Sequence, residues 1–220
     1  MHLRDTLAGL EREYGTPWRA RARALFDPRE FGLLEYCARK RRSHDVTLFI
    51  RGEDGRFAVI RKPSYAPGVY RPPSGGVEPG EPFEAGAARE GREETGLEIT
   101  LERFLVRVEA RFILSTDRSR AADWTTLIFL ARAKAGHPER LCPQDRVEIC
   151  DARWAEADEL RGPLRAAMLE MGTAGMRYRV DLQDLALAAL GEGSWWSEPG
   201  RVLEPEEEPE MLGGPGRSIG

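Results

Sequence analysis

Three glutamates, Glu90, Glu93 and Glu94, lie within one short segment in the middle of the chain. At about 100° per residue of an α-helix, their carboxylates fall within roughly 100° of arc. Like charges at i,i+3 and i,i+4 spacing destabilise a helix by roughly a few tenths of a kcal/mol per pair. Because Ala87 lies on the same side, the carboxylates border the buried face, where an unpaired charge costs far more.

The segment that carries these glutamates is predicted to be a single helix. Pro82 can occupy its first turn, and Gly96 stands where a C-terminal cap belongs. A solvated acidic face, with Arg89 paired to a glutamate one turn away, would explain the charges. It would not explain Gly86 and Gly91, which each cost about 1 kcal/mol relative to alanine inside a helix. These glycines predict a close approach of the helix to a neighbouring strand or loop.

A hard divalent cation would account for the clustered carboxylates directly. Magnesium prefers oxygen ligands, keeps several waters and is usually completed by the phosphates of a substrate. Hydrolysis of a diphosphate needs a positioned water, a base and cations that neutralise charge on the phosphate oxygens. The acidic cluster therefore predicts a half-site for Mg²⁺ or Mn²⁺ that acts on a phosphorylated ligand.

Strands and helices alternate around this segment, which favours an α/β or α+β sandwich. The strand candidates are "VTLFIR" and "FAVIRK" flanking the turn "GEDG", then "ITLERFLVRVEARFIL", "WTTLIFLARAKA" and "VEICDARW". The polar stretch "STDRSRAAD" is predicted to be a loop between the two longest strands. A last helix is predicted from Leu182 to Leu190.

The first forty residues are predicted to be helical. An apolar stripe of Leu3, Leu7, Leu10 and Tyr14 indicates the first helix. Thr16–Pro17 and Asp27–Pro28 each combine a capping residue with proline at the first helical position, which predicts two more helix starts. We expect these helices to pack on the sandwich or to form a homodimer contact, and to supply no metal ligand.

Composition excludes several classes of protein. The chain has 220 residues, 41% hydrophobic and 32% charged, which suits one globular domain with extensions. A net charge of −4 disfavours a general nucleic-acid coat protein. The basic run "ARKRR" (38–42) is either a solvated helix end that complements the helix dipole or a phosphate- or RNA-binding patch.

Cysteine usage and hydropathy predict a cytoplasmic protein. The three cysteines, Cys37, Cys142 and Cys150, have no C-x-x-C spacing and fit a reducing compartment. The charged N-terminus does not resemble a signal peptide, and no run of eighteen apolar residues indicates a membrane span.

The stretch Gly75–Leu97 resembles the signature box of the Nudix hydrolases, in which a glycine, a glutamate and an R-E-x-x-E-E-x-G run have fixed spacing. The residues in register are Gly75, Glu81, Arg89, Glu90, Glu93, Glu94, Gly96 and Leu97. The one departure is Gly91, where the family has a bulky aliphatic residue that packs the helix on the core. This departure affects the expected packing more than the chemistry.

The resemblance implies a Nudix-type α/β/α sandwich with a mixed sheet. On that basis we expect an N-terminal helical extension over residues 1–43, a Nudix hydrolase domain over 44–190 and a disordered acidic tail over 191–220. The tail is too polar to order itself. Trp195 and Trp196 are the large apolar residues in this polar tail, and they could dock on the core or on a partner.

The implied activity is metal-dependent hydrolysis of a nucleoside diphosphate linked to another moiety. Carried over onto this chain, Glu90, Glu93 and Glu94 would bind the cations, and Arg89 would orient one of them. A further glutamate often serves as ligand or base in this family. Glu148 is the first candidate for it here, and Glu109 is the second.

The implied substrate contacts lie just upstream of the helix. The loop that starts at Gly75 and Gly76 would present backbone amides to the ligand, while Lys62 and Arg71 could hold a phosphate. An ordinary solvated position on the surface would explain the presence of Lys62 and of Arg71 equally well. Three aromatic residues could stack on a base, although a core role is the better interpretation for the first two: Phe112, Trp124 and Tyr70.

The subclass markers of the family are absent. No proline occurs over 98–137 and no tyrosine over 98–177, so neither ADP-ribose nor dinucleoside polyphosphates are favoured, and no coenzyme A signature is recognisable. We expect a small-molecule nucleotide substrate, with neither a membrane nor a nucleic-acid partner. The alternatives are an RNA 5′-end pyrophosphohydrolase, a non-catalytic module that senses a nucleotide metabolite, and an isomerase of the same fold.

Overall fold

A computed structural model describes residues 3–40, 42–134, 138–191 and 202–203 of the chain. Its elements are α1 (Leu3–Tyr14), β1 (Trp18–Phe26), α2 (Pro28–Arg39), β2 (His44–Arg51), β3 (Phe57–Arg61), β4 (Ser74–Gly75), α3 (Phe83–Thr95), β5 (Ile99–Leu114), β6 (Asp117–Ala133), β7 (Asp151–Ala155), α4 (Ala157–Arg161), α5 (Pro163–Glu170), α6 (Ala174–Ala189) and β8 (Val202–Leu203).

The strands form one mixed sheet in the order β7-β3-β2-β6-β5-β1-β8, and β4 pairs with β2. Strands β2 and β6, and likewise β1 and β5, are parallel, whereas β5 and β6 form a long antiparallel hairpin. The predicted α/β/α sandwich with a mixed sheet is confirmed, because helices cover both faces of this sheet.

Each face of the sheet has its own apolar core. On one face, α3 and α1 bury Phe83, Ala87, Leu7 and Leu10 against β2, β5 and β6. Three residues of the predicted apolar stripe of α1, Leu7, Leu10 and Tyr14, therefore pack on the sandwich. On the other face, α2, α4, α5 and α6 cover β1, β5 and β6. None of the helices within the described ranges combines the length and the hydropathy needed to cross a bilayer.

The helix predicted to start at Pro17 is wrong, because residues 18–26 form strand β1. The sequence "WRARARALF" alternates, so that Ala20 and Ala22 are buried while Arg19, Arg21 and Arg23 are exposed. This period of two is typical of a strand with one buried face. The strand pairs in parallel with β5 from Trp18 to Phe26, and that pairing outweighs the local helix signal.

Three other boundaries differ from the sequence prediction. Strand β6 begins at Asp117, so most of the predicted loop "STDRSRAAD" belongs to the hairpin. Strand β7 begins only at Asp151, after a turn in which Asp145 accepts bonds from the N–H groups of Val147 and Glu148. Helix α6 begins eight residues before the predicted Leu182. Most of the acidic tail, with Trp195 and Trp196, lies outside the described residues.

Candidate active site

Arg89 on α3 ties the helix to the loop that precedes it. Its guanidinium donates to both carboxylate oxygens of Glu81, each at 3.1 Å, and to the carbonyl oxygen of Gly76 at 2.9 Å. It also donates to Glu90 Oε1 and Glu93 Oε2, both at 2.9 Å. The hydrogen bond from Arg89 lowers the pKa of Glu81. One cation therefore fixes the loop and holds two of the clustered glutamates.

Glycines at three positions allow close approaches that a side chain would block. A Cβ at Gly75 would lie 1.9 Å from Glu90 Oε2, so this carboxylate rests against the backbone of β4. A Cβ at Gly86 would meet Val77 of the loop at 3.0 Å, and one at Gly91 would meet Ile99 Cδ1 of β5 at 2.9 Å. The expectation that the helix glycines mark close approaches is confirmed. Ile99 fills the space beside Gly91, which explains how α3 packs without a bulky residue there.

Glu94 is buried, with 4% of its surface exposed. Its Oε2 accepts the backbone N–H of Ser74 at 2.7 Å, while Oε1 lies 3.6 Å from Arg71 Nη2 and 3.9 Å from Lys62 Nζ. Burial raises the pKa of Glu94, although Arg71 and Lys62 act in the opposite direction. The carboxylate is therefore held in place but only partly neutralised.

Glu90 and Glu94 are the two more buried of the three clustered glutamates. Burial raises the pKa of Glu90; Arg89 acts in the opposite direction, and the charges of Glu94 and Glu93 add to the rise. Glu90 and Glu94 contact consecutive residues of β4. Glu93 shares Arg89 with Glu90, and its side chain is 42% exposed. Magnesium commonly takes one or two carboxylates and completes its shell with waters and phosphates. Among the described residues, no three His, Cys, Asp or Glu side chains form a ready-made metal group.

Lys62 connects Glu94 to Glu148. Its Nζ lies 2.7 Å from Glu148 Oε2 and 3.9 Å from Glu94 Oε1. Glu148 sits in the turn before β7 and its side chain is 61% exposed, so its carboxylate reaches solvent. Glu109 instead pairs with Arg107 on its own strand β5, and no described hydrogen bond or ion pair joins Glu109 to the clustered glutamates.

Arg71 is enclosed rather than open to a ligand, since only 1% of its surface is exposed. Its guanidinium donates to Tyr65 Oη at 2.9 Å, to the Pro72 carbonyl at 2.7 Å and to Ser74 Oγ at 2.9 Å. With Glu94 beside it, Arg71 holds the segment before β4 against α3. Its observed contacts therefore position the carboxylate.

The three aromatic candidates for base stacking are engaged elsewhere. Phe112 is buried and stacks on Phe26 at 4.3 Å between ring centroids. Trp124 is buried and donates to Asp45 Oδ1 at 3.0 Å. Tyr70 is partly exposed and donates to Asp151 Oδ2 at 2.5 Å, so of the three it alone faces solvent in part.

Sequence reasoning missed two residues beside the site, Tyr65 and Arg179. Arg179 on α6 donates from Nη1 to Ser74 Oγ at 3.0 Å. Burial raises the pKa of Tyr65, but the charges of Arg71, Arg179 and Lys62 outweigh it and lower the pKa to about 8. No local pattern marks Arg179, because it lies far along the chain from Ser74 and only the packing of α6 brings them together.

Comparison with known proteins gives a family match over this region. The model of the NUDIX domain matches residues 41–174. A curated relative from Stutzerimonas stutzeri (strain A1501), "NAD-capped RNA hydrolase NudC", is 34% identical over 66% of this chain and 47% of its own length. A protein of the same description from Vibrio vulnificus (strain CMCP6) is 31% identical over 54% of this chain and 42% of its own length. The chain thus spans about half the length of these relatives.

Among solved structures, a NUDIX hydrolase from Nitrosomonas europaea is 21% identical to this chain. The match covers 64% of this chain and 95% of that one, with a TM-score of 0.43.

Proposed function

This chain belongs to the NUDIX domain family, and from that premise we propose that it is a divalent-metal-dependent pyrophosphohydrolase. Its substrate would be a nucleoside diphosphate linked to another moiety. The observation that carries the proposal is the pair Glu90 and Glu94, two crowded carboxylates held against β4 by buried neighbours. The donor set suits Mg²⁺ or Mn²⁺, and the phosphates of a substrate would complete the coordination.

Each residue of the site has a separate task in this mechanism. Glu90 and Glu94 would hold the cation, which neutralises charge on the phosphate oxygens and makes a bound water more acidic. Arg89 keeps the loop and the helix in register, so that the two carboxylates stay in place. Glu93 would contribute through water or to a second ion, since its side chain is the most exposed of the three.

Glu148 is the stronger candidate for the base that takes the proton of the attacking water. Its carboxylate reaches solvent and is linked through Lys62 to Glu94. We expect Glu148→Gln to lower kcat by at least about 100-fold, which is the usual cost of losing a general base. The measurement is steady-state kinetics on the best substrate. A larger loss for Glu109→Gln than for Glu148→Gln would move the base to Glu109.

Two substrate classes follow from different observations. The net charge of −4 favours a small nucleoside diphosphate derivative over a nucleic acid. The names of the two curated relatives favour the 5′ end of an RNA that carries a nucleotide cap. Because this chain spans about half of each relative, the second class stays an alternative.

Metal dependence is the first test of this function. We expect hydrolysis of at least one diphosphate with Mg²⁺ or Mn²⁺, and complete loss of activity in excess EDTA. The carboxylates are themselves negative, so without a cation they repel the phosphates of the substrate. The substrates are NAD, ADP-ribose, nucleoside diphosphate sugars, NAD-capped RNA and 5′-triphosphate RNA. For the first four, chromatography measures the two monophosphate products, and for the triphosphate RNA the released pyrophosphate or orthophosphate is measured. Undiminished turnover in EDTA would contradict the metal mechanism, and adding back Mg²⁺ is the control for irreversible loss.

A further inference from the structure

Two arginines from distant parts of the chain converge on one hydroxyl beside the site. Arg179 Nη1 and Arg71 Nη1 both donate to Ser74 Oγ, at 3.0 Å and 2.9 Å. The backbone N–H of the same serine donates to Glu94 Oε2 at 2.7 Å. Ser74 therefore lies between two guanidinium groups and the carboxylate proposed to hold the cation.

Arg179 differs from the other cations near Ser74, because the charges of Asp45 and Glu94 act on it only from a distance. Glu94 lies beside Arg71 and Lys62, whereas Arg179 forms no ion pair with any carboxylate of the described residues. Burial and the charge of Arg71 both lower the pKa of Arg179. A cation removed from water without a partner is strongly destabilising. The fold therefore retains a charge that an anion would satisfy.

Thr47 gives an independent indication of a missing ligand. In the antiparallel pairing of β2 and β4, Thr47 lies directly opposite Ser74, so both side chains lie on the same face of the sheet. Thr47 Oγ1 is buried and has no hydrogen-bond partner among the described residues. Buried hydroxyls without a partner are rare, because each has lost its hydrogen bonds to water without replacement. An unsatisfied hydroxyl and an uncompensated guanidinium thus lie on either side of Ser74.

We propose that Arg179, Ser74 and Thr47 form a recess that binds a phosphate group on the α6 side of Glu94. This recess rests on the proposed function and deepens it, because the phosphate would belong to the diphosphate substrate. Arg179 offers a planar fork of donors that matches phosphate geometry, and it is partly exposed, so a ligand can reach it. A cation on Glu94 would add further positive charge and strengthen the binding of the anion without being required for it.

Binding to the metal-free protein tests the recess separately from catalysis. In excess EDTA, calorimetry and thermal unfolding are measured with pyrophosphate, ADP and orthophosphate. We expect the wild type to bind pyrophosphate and to gain thermal stability from it, as any ligand of the native state provides. Arg179→Gln should weaken this binding by at least about tenfold. Without any anion, its melting temperature should equal or exceed that of the wild type, because an uncompensated charge is gone.

Arg177→Gln is the matched control, since Arg177 is an exposed arginine on the same helix. It should leave the affinity for pyrophosphate unchanged. Binding of pyrophosphate and ADP in preference to orthophosphate assigns the recess to the diphosphate, while equal binding of all three assigns it to phosphate in general.

Two results would overturn the recess. One is that the metal-free wild type binds none of the three anions. The other is that Arg179→Gln lowers the melting temperature without anion and keeps the affinity for pyrophosphate, which would make Arg179 a structural residue. Either result leaves the proposed function intact if the wild type still hydrolyses a substrate. Conversely, binding through Arg179 without turnover of any substrate contradicts the proposed function alone.

Discussion

Glu90→Gln and Glu94→Gln are each expected to lower kcat by at least about 100-fold while the protein stays folded. Glutamine keeps the shape of the side chain and removes the charge that binds the cation. Glu90 is crowded by the charges of Glu94 and Glu93, so losing its charge should not unfold the metal-free protein. Glu94→Gln also takes the carboxylate from the buried Arg71, so this variant should stay folded with a lower free energy of unfolding. The measurement is kcat at saturating Mg²⁺, together with the Mg²⁺ concentration that gives half-maximal rate, which should rise.

Glu84→Gln is the control for this pair. Glu84 lies in the first turn of the same helix, is exposed and lies outside the signature residues, so kcat should change little. The far-ultraviolet circular dichroism of all three variants checks that α3 still forms. Near-normal turnover of both Glu90→Gln and Glu94→Gln would require the mechanism to be abandoned.

Arg71→Met is expected to give the largest loss of stability, about 3–5 kcal/mol, which is typical for removing one partner of a buried ion pair. The change leaves the buried Glu94 with Lys62 and the more distant Arg179 as its cations. It also removes the guanidinium that donates hydrogen bonds to Tyr65 and Ser74. The free energy of unfolding is measured by urea titration in EDTA, so that no metal compensates for the lost charge.

The pH dependence of this variant follows from the carboxylate that it leaves unpaired. Burial already raises the pKa of Glu94, and without Arg71 the pKa rises further. The native state then binds more protons than the unfolded state, so stability falls as pH rises through the pKa of the folded state. The loss should therefore be smaller at pH 5 than at pH 8.

A second substitution separates the charge effect from lost packing. In the double variant Arg71→Met/Glu94→Gln the buried charge is absent, so part of the lost stability should return and the extra pH dependence should disappear. If the double variant is less stable than Arg71→Met at every pH, the ion pair is not the main contribution of Arg71.

The sequence could predict those contacts of the site that join residues a few positions apart in the chain. The three glutamates and Arg89 share one helix, and helix geometry alone places them within about a turn. Gly86 and Gly91 could also be interpreted from the sequence alone. Glycine destabilises the interior of a helix, so its presence there indicates a close neighbour. The identity of that neighbour, Ile99 in the case of Gly91, required the fold.

The parts that escaped prediction depend on contacts between distant segments. Lys62 meets Glu148, and Arg179 meets Ser74, only after the sheet and α6 are assembled. Pro17 after Thr16 predicted a helix because capping signals are local, whereas the pairing of β1 with β5 is not. Burial likewise decided the role of Arg71, which has the same residue type as many exposed arginines in this chain.

Strand β1 also sets the order in which the chain can fold. Its partner β5 follows only after α2, β2, β3, β4 and α3 in the chain. Closing such a non-local pair carries an entropic cost, so β1 should join the sheet late. Until then its edge is open to pairing with other chains, and the arginines that alternate along it act as gatekeepers against aggregation in the nascent protein.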